Sequence, residues 1–267
     1  MEGTPLKLLE GKTAVVYGAA GGIGTAVSKA FAREGAKVYL AGRTESTLRS
    51  LAEEITKAGG SAEASPVDAQ DSVAVERHLQ KVVADTGRLD VSFNLISVDV
   101  KMGSKLTDLS AEEFAEAAFA KTKSYFITGV AAAKIMQKQG SGVILGLTTG
   151  LGRIPVPETG IFPVENGAIE TMYKQLAVES GPHGVRVVCL RTGGTPDNPV
   201  LQTVYEELAR VRGITKEAVE KEGAQTTSLK RLPRMAEVAN AAVLMASDYA
   251  SAITATPVNA TCGELVD

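Results

Sequence analysis

The sequence predicts an α/β fold, in which about seven parallel strands form one doubly wound sheet with helices on both faces. Two observations carry this prediction. Short apolar runs rich in β-branched residues alternate with stretches of helical period almost from end to end. Most of these runs are apolar enough to be buried on both sides. No linker composition and no internal repeat interrupts the 267 residues, so we expect a single domain.

The predicted elements follow in order along the chain. The first helix covers Gly22–Glu34 and the second covers Glu45–Ala58, and glycine follows each of them. Farther on, Ser110 and Glu113 predict the capping box of another helix. The predicted strands are Thr13–Tyr17, Lys37–Ala41, Ala62–Pro66, Val91–Leu95, Gly142–Leu147, Val185–Leu190 and Thr256–Asn259.

The least regular stretch is Thr192–Leu232. Asn198-Pro199 predicts the start of a helix, and Gly213 predicts its end. A polar segment around Lys216–Gln225 follows. We predict that this stretch is a mobile flap over a binding site.

Composition and charge exclude several classes of function. Lys and Arg number 28 against 31 Asp and Glu, a net charge of -3, so nucleic acid and anionic membranes are disfavoured as partners. The two cysteines, Cys189 and Cys262, match no metal-ligand spacing and cannot form a disulfide framework, so no metal site is predicted. The first residues lack the apolar core of a signal peptide, and no apolar run is long enough to span a bilayer. We therefore expect a cytoplasmic protein.

A glycine-rich turn follows the first predicted strand and precedes the first predicted helix. It begins at Gly18 and ends with Gly22-Ile23-Gly24. Glycines there let the backbone turn tightly and approach a pyrophosphate, whose charge the N-terminus of the helix stabilises. The position of the turn predicts a Rossmann-like dinucleotide site.

The end of the second predicted strand distinguishes two dinucleotides. In NAD-binding folds an acidic residue lies there and binds the ribose 2′-hydroxyl. Here Gly42-Arg43-Thr44 contains no carboxylate. Because an arginine can make a forked, charge-assisted pair with a 2′-phosphate, Arg43 with Thr44 predicts NADP(H). The alternative is an exposed arginine that only begins a loop.

These residues make the chain resemble the short-chain dehydrogenase/reductase superfamily over nearly its whole length. The glycine motif of that family, Thr-Gly-x-x-x-Gly-x-Gly, is matched from Gly18 to Gly24, with Tyr17 in place of the leading Thr. Asp68 lies in a segment similar to the one that contacts adenine in the family. Asn94 matches one residue of its Asn-Asn-Ala-Gly strand end. The resemblance implies an oxidoreductase with a small-molecule substrate, assembled as a homo-oligomer, either a tetramer or a dimer.

The resemblance also implies four catalytic positions, which the family fills with Asn, Ser, Tyr and Lys. Phe162 falls at the Tyr position and Asn166 at the Lys position, so the usual proton donor and its partner are both replaced. Thr149 falls at the Ser position, and Lys121 falls where the Asn is expected. None of the six tyrosines has a lysine four residues later, so the pair has not moved elsewhere in its usual spacing.

An active reductase with this sequence needs another proton source, because loss of a general acid costs about 10²- to 10⁴-fold in rate. Lys121 is the predicted replacement. A buried ammonium can have a lowered pKa and donate a proton to a developing oxyanion. The alternative is that Lys121 belongs to a solvated helix start with Lys123. Thr149 is predicted to contact a substrate oxygen.

Other polar residues are weaker candidates. Glu165 adjoins the replaced Lys position, and Arg153 and Glu158 lie in a loop that enters the pocket rim in this fold. Each of these three side chains could bind a charged group of a substrate. His78 and His183 are predicted to be structural.

The sequence leaves three functions open. The first is an NADP(H)-dependent oxidoreductase that transfers hydride to a carbonyl, imine or activated alkene with a proton source other than Tyr. The second is a descendant that binds NADP(H) or a metabolite without redox turnover, and the third is a nonredox cyclase or lyase. The intact cofactor half of the site favours the first, whereas the replaced Tyr and Lys favour the second.

Overall fold

Seven parallel strands form one sheet at the centre of the protein. The computed structural model describes residues 7–97 and 105–266. The strands are β1 (Thr13–Tyr17), β2 (Lys37–Gly42), β3 (Ser61–Pro66), β4 (Val91–Asn94), β5 (Gly142–Thr149), β6 (Val185–Thr192) and β7 (Thr256–Ala260). Their order in the sheet is β3-β2-β1-β4-β5-β6-β7. Every neighbouring pair is parallel. The predicted fold class is confirmed.

Helices cover both faces of this sheet. They are α1 (Gly22–Arg33), α2 (Glu45–Lys57), α3 (Ser72–Thr86), α4 (Ala111–Gln139), α5 (Phe162–Ser180), α6 (Pro199–Arg212), α7 (Lys216–Thr226) and α8 (Met235–Ala246). Apolar residues of α1, α2 and α8 form a core with one face of the sheet. Those of α3, α4 and α5 form a second core with the other face. A small third cluster joins α6 to α7.

The two edge strands differ from the inner strands. All residues of β1 and β4 are buried, whereas most residues of β3 and β7 are partly or fully exposed. An edge strand has a neighbour on one side only, so its outer edge stays open to solvent. Burial on both faces, which the apolar runs predict, therefore holds for the centre of the sheet.

The long helix α4 begins where its sequence predicts. The Ser110 hydroxyl accepts a hydrogen bond from the Glu113 N–H at 3.1 Å, and the Glu113 carboxylate accepts one from the Ser110 N–H at 2.8 Å. The helix then continues for 29 residues to its C-cap, Gly140, whose φ is +79°. Lys121 consequently lies within the helix and is buried, so its interpretation as part of a solvated helix start is wrong.

The stretch Thr192–Leu232 contains two helices. The Asn198 carboxamide caps α6, and Gly213 ends that helix with φ +65°, as its sequence predicts. The following polar segment is itself helical, since α7 is capped by the Thr215 hydroxyl. Its sequence carries little apolar periodicity because only Val219 of this helix is buried. The mobility of the stretch stays a prediction.

The described residues contain no helix with the length and apolarity needed to cross a bilayer.

The expected homo-oligomer stays a prediction. Phe119 and Phe126 on α4 and Val178 on α5 are more than half exposed. These long helices therefore present apolar side chains on the protein surface.

A buried ion pair joins α5 to β6 behind the carboxyl edge of the sheet. Arg191 donates to the Glu170 carboxylate through Nε at 2.6 Å and through Nη2 at 2.7 Å. The Thr148 hydroxyl donates to the same carboxylate at 3.0 Å. The two charged side chains are only 5% and 6% exposed. This network fixes α5 against the ends of β5 and β6.

Replacing Glu170 with Ala should lower the free energy of unfolding by about 3–5 kcal/mol, because it leaves the Arg191 charge buried without its carboxylate. Urea denaturation followed by circular dichroism measures this change. Glu179→Ala is the matched control, since Glu179 is exposed on the same helix and accepts a hydrogen bond from Gln175. The control should change stability by less than about 0.5 kcal/mol. Equal effects of the two substitutions would contradict the prediction.

Candidate active-site crevice

The strand order reverses between β1 and β4. In open α/β sheets, ligands bind in the crevice outside the carboxyl ends of the strands at such a switch point. Here the glycine turn follows β1, while Asn94, Thr149 and Thr192 are the last residues of β4, β5 and β6. The topology thus brings the predicted cofactor and substrate residues to one edge of the sheet.

The backbone of the glycine turn leaves no room for side chains at two positions. Gly18 has φ +75°, and a methyl group on it would lie 3.2 Å from the Leu95 carbonyl group. A methyl group on Gly24 would overlap the Gly18 carbonyl oxygen. Gly21 caps α1 without a side-chain hydrogen bond, so the first N–H groups of the helix stay open to an anion. The turn fits a dinucleotide pyrophosphate.

Gly22 and Ile23, which precede Gly24 in the motif, have different surroundings from the two glycines above. A methyl group on Gly22 would overlap the Asn198 carboxamide oxygen, so the segment after β6 lies against the glycine turn. The Asp197 carboxylate holds that segment by accepting a hydrogen bond from the Met235 N–H at 3.0 Å. Ile23 is buried in the core, where it anchors α1.

Arg43 and Thr44 are exposed at the carboxyl end of β2. Arg43 makes no hydrogen bond or ion pair with the described residues. Thr44 is the N-cap of α2, and its hydroxyl makes no capping hydrogen bond. A guanidinium, a hydroxyl and a helix N-terminus are therefore all open to solvent, and this set of donors fits a phosphate.

The two remaining cofactor candidates are engaged in local hydrogen bonds. One oxygen of the exposed Asp68 carboxylate accepts a hydrogen bond from the Gln70 N–H at 2.9 Å. Asn94 is buried, and its carboxamide donates to the Thr128 hydroxyl at 3.0 Å and accepts from the Ile96 N–H at 2.9 Å. Asn94 therefore fixes the end of β4 to α4. The second oxygen of the Asp68 carboxylate has no hydrogen bond to the described residues and is free for a ligand.

Lys121 and Asn166 meet between α4 and α5. The Lys121 ammonium donates a hydrogen bond to the Asn166 carboxamide oxygen at 3.3 Å. The same oxygen accepts from the Thr149 N–H at 3.1 Å, and the Asn166 amide donates to the Phe162 carbonyl at 2.8 Å. The Lys121 Nζ atom lies 5.1 Å from the centroid of the Phe162 ring, within cation–π range. All four predicted catalytic positions are thus in one cluster.

The Thr149 hydroxyl is buried and makes no hydrogen bond with the described residues. Its backbone is fixed by the bond to Asn166, so the hydroxyl has a defined position at the end of β5. A buried hydroxyl without a partner is able to donate to, or accept from, a ligand atom. The contact to a substrate oxygen stays a prediction, for which this hydroxyl is available.

Burial also shifts the two ionisable groups of the cluster. It lowers the pKa of Lys121 to about 8, an effect that the nearby Glu165 carboxylate opposes. It raises the pKa of Glu165 to about 7, which the Lys121 ammonium opposes. One oxygen of Glu165 is buried without a hydrogen-bond partner among the described residues. Near neutral pH, proton transfer to or from either group is therefore easier than for an exposed side chain.

Four of the weaker candidates lie outside this cluster, whereas Glu165 is part of it. Arg153 and Glu158 are exposed in the loop after β5, and His183 is exposed in a turn. His78 packs against the rings of two buried tyrosines, and burial lowers its pKa to about 4. It is neutral at physiological pH, in keeping with a structural role.

The structure adds one residue that sequence reasoning missed. Glu264 follows β7, and its carboxylate reaches the ends of β5 and β6. A methyl group on Gly150 would lie 3.0 Å from its Oε2 atom, and one on Gly193 would lie 3.1 Å away. The sequence signal for it is modest: it is a carboxylate that follows the last strand, at the edge where ligands bind.

The described part of the chain contains no group of three or more His, Cys, Asp or Glu that could hold a metal ion. The crevice presents an ammonium, a hydroxyl and two carboxylates beside a dinucleotide cradle. Such a set can orient a polar substrate and exchange a proton with it.

Comparisons with known proteins agree with this geometry. The family model described as enoyl-(acyl carrier protein) reductase matches residues 18–263. Short chain aldehyde dehydrogenase 1 of Euphorbia lathyris is 29% identical over 252 residues, which cover 93% of this chain and 86% of that protein. The 7alpha-hydroxysteroid dehydrogenase of Clostridium sardiniense is 28% identical over 250 residues, which cover 93% of this chain and 91% of that protein.

A solved structure is similar over the same extent. Sorbitol-6-phosphate 2-dehydrogenase from Erwinia amylovora superposes with a TM-score of 0.88 at 26% sequence identity. The superposition covers 95% of this chain and 100% of that one.

Lys121 should titrate below the ordinary range of lysine. NMR of protein labelled at the lysine ε-carbon should give it a pKa of about 8, below the ordinary lysine value of about 10.4. In Glu165→Gln the pKa of Lys121 should fall further, because the carboxylate that favours the ammonium is gone. A Lys121 signal that titrates at the ordinary lysine value would show that the ammonium is solvated.

Proposed function

The chain belongs to the short-chain dehydrogenase/reductase family, and from this premise we propose that it is an NADP(H)-dependent reductase in which Lys121 supplies the proton. The family consists of oxidoreductases that bind nicotinamide cofactors. The substrate is a small molecule with a carbonyl, imine or activated alkene. The observation that carries the proposal is the buried Lys121 ammonium, hydrogen-bonded to Asn166 beside Thr149.

The choice of NADP(H) over NAD(H) is supported by the donors at the end of β2. Arg43 has no protein partner among the described residues, and Thr44 leaves the N-terminus of α2 uncapped by a side chain. A 2′-phosphate carries the charge that these groups can bind, whereas a ribose hydroxyl does not. The glycine turn from Gly18 to Gly24 would hold the pyrophosphate.

The choice of Lys121 as acid is supported by its position and its pKa. Its ammonium lies against the Phe162 ring and the Asn166 carboxamide, the two residues that the sequence resemblance assigns to the family's Tyr and Lys positions. With a pKa of about 8 it is protonated at neutral pH and close to losing its proton. An acid of that strength matches the range in which general acid catalysis is efficient.

The proposed reaction divides the work between the cofactor and the protein. When bound, reduced nicotinamide supplies a hydride to the electrophilic carbon. The Thr149 hydroxyl binds the substrate oxygen or nitrogen and fixes its direction. The Lys121 ammonium donates a proton to that atom as negative charge develops there and becomes a neutral amine. The buried site favours the neutral amine, so donation of the proton removes the free-energy penalty of the desolvated ammonium.

Replacing Lys121 with Met should lower the turnover number by about 10²- to 10⁴-fold while NADPH affinity stays largely intact. NADPH oxidation is followed with panels of ketones, imines and enones, and NADPH binding by its own fluorescence, since the chain contains no Trp. Lys123→Met is the matched control, because Lys123 is an exposed lysine on the same helix. It should leave both quantities unchanged.

Two results would refute parts of this proposal. An unchanged rate in Lys121→Met eliminates Lys121 as the acid. Binding of NADPH by the wild-type protein without turnover of any acceptor favours the alternative, a protein that binds the cofactor without redox chemistry.

Replacing Arg43 with Ala should weaken NADPH binding by about tenfold or more and leave NADH binding nearly unchanged, because only NADPH carries the phosphate. Fluorescence titration with each cofactor measures both constants. Arg49→Ala is the control, since it removes the same charge from an arginine that pairs with Glu45 on α2. Equal losses for the two cofactors in Arg43→Ala would remove the 2′-phosphate assignment.

A further inference from the structure

The Glu264 carboxylate is held in the crevice by a fixed backbone. The preceding turn is bonded to the segment after α7, where the Ser228 N–H donates to the Gly263 carbonyl at 3.0 Å and the Leu229 N–H donates to the Cys262 carbonyl at 3.1 Å. Gly263 has φ +78°, and a methyl group there would clash with Ser228. The position of the carboxylate is therefore defined by packing and by main-chain bonds.

Two glycines make room for this carboxylate. Gly150 follows Thr149 at the end of β5, and Gly193 follows Thr192 at the end of β6; the two threonines are paired in the sheet. Side chains on these glycines would lie about 3 Å from the Glu264 Oε2 atom. The carboxylate consequently adjoins the strand end that carries the Thr149 hydroxyl.

Glu264 has no cationic partner among the residues that the structure describes. Its side chain makes no hydrogen bond or ion pair with the described residues. The nearby cations on the segment after α7 are engaged, since Arg231 pairs with Glu237 and the Lys230 ammonium donates to the Gln225 carbonyl. Partial burial also raises the pKa of Glu264. A partly desolvated carboxylate without a partner is unfavourable, and a bound cation would remove that penalty.

We propose that Glu264 binds a cationic nitrogen of the substrate, while the reducible group of the same molecule faces Lys121 and Thr149. The proposal rests on the proposed reductase function and adds the substrate class, an amino carbonyl compound. Two charged groups at different places in the crevice orient such a molecule, because Lys121 repels the cationic nitrogen and Glu264 attracts it. A neutral ketone of the same shape lacks that orienting force.

Two probes of nearly equal shape test the role of charge. N,N-Dimethyl-4-oxopiperidinium carries a permanent positive charge, and 4,4-dimethylcyclohexanone replaces its nitrogen with carbon. Their affinities are measured by ligand-observed NMR with the full-length protein, with and without NADP⁺. The wild-type protein should bind the cation about tenfold or more tightly than the neutral ketone. Glu264→Gln should abolish this preference and leave the affinity of the neutral ketone unchanged.

The matched control is Glu53→Gln, which removes the same charge from an exposed position on α2 and should keep the preference. Equal binding of the two probes to the wild-type protein overturns the proposal, and so does undetectable binding of both at millimolar concentration. A preference that survives in Glu264→Gln also overturns it. An equal loss of both probes in Glu264→Gln would indicate a structural role instead.

These results are separable from a failure of the reductase function. Cofactor binding and NADPH oxidation are measured in their own assays. If NADPH does not bind, the proposed function fails while the preference for the cation remains measurable in the protein without cofactor.

Discussion

The Asn166 carboxamide is the interaction on which the candidate site depends. Its oxygen accepts one hydrogen bond from the Lys121 ammonium on α4 and another from the Thr149 N–H at the end of β5, while its nitrogen donates to the Phe162 carbonyl on α5. Asn166 is fully buried. In a protein interior without water, each hydrogen-bonding group left without its partner costs about 1–3 kcal/mol. The Asn166 amide therefore fixes α4, α5 and the end of β5 relative to one another.

Much of the fold could be predicted from local chemistry. The apolar β-branched runs mark all seven strands within about two residues at each end, and the Ser110–Glu113 capping box marks the start of α4. The glycine turn is equally predictable, because the close approach of the backbone leaves no room for side chains at Gly18 and Gly24. By contrast, α7 escapes prediction, since one buried residue, Val219, produces no periodic signal.

The chemistry of the site depends on contacts that sequence spacing does not contain. Lys121 and Asn166 are 45 residues apart, and the burial that shifts the pKa of Lys121 exists only once α4 packs on α5. Glu264 reaches the crevice through a turn fixed by Ser228 and Leu229, which belong to a different segment. The sequence puts Glu264 after the last strand, but it does not show that the turn brings the carboxylate to the ends of β5 and β6. Tertiary packing therefore decides which carboxylates and ammonium groups act together.

The strand order also divides the crevice between two consecutive stretches of chain. The strands that flank the glycine turn, β2 and β4, are complete by residue 94, whereas Thr149, Asn166 and Glu264 come later. During synthesis the amino-terminal half emerges from the ribosome first, and domains fold from that end. The strand pairs around the glycine turn can therefore form on the nascent chain before Thr149, Asn166 and Glu264 have been translated.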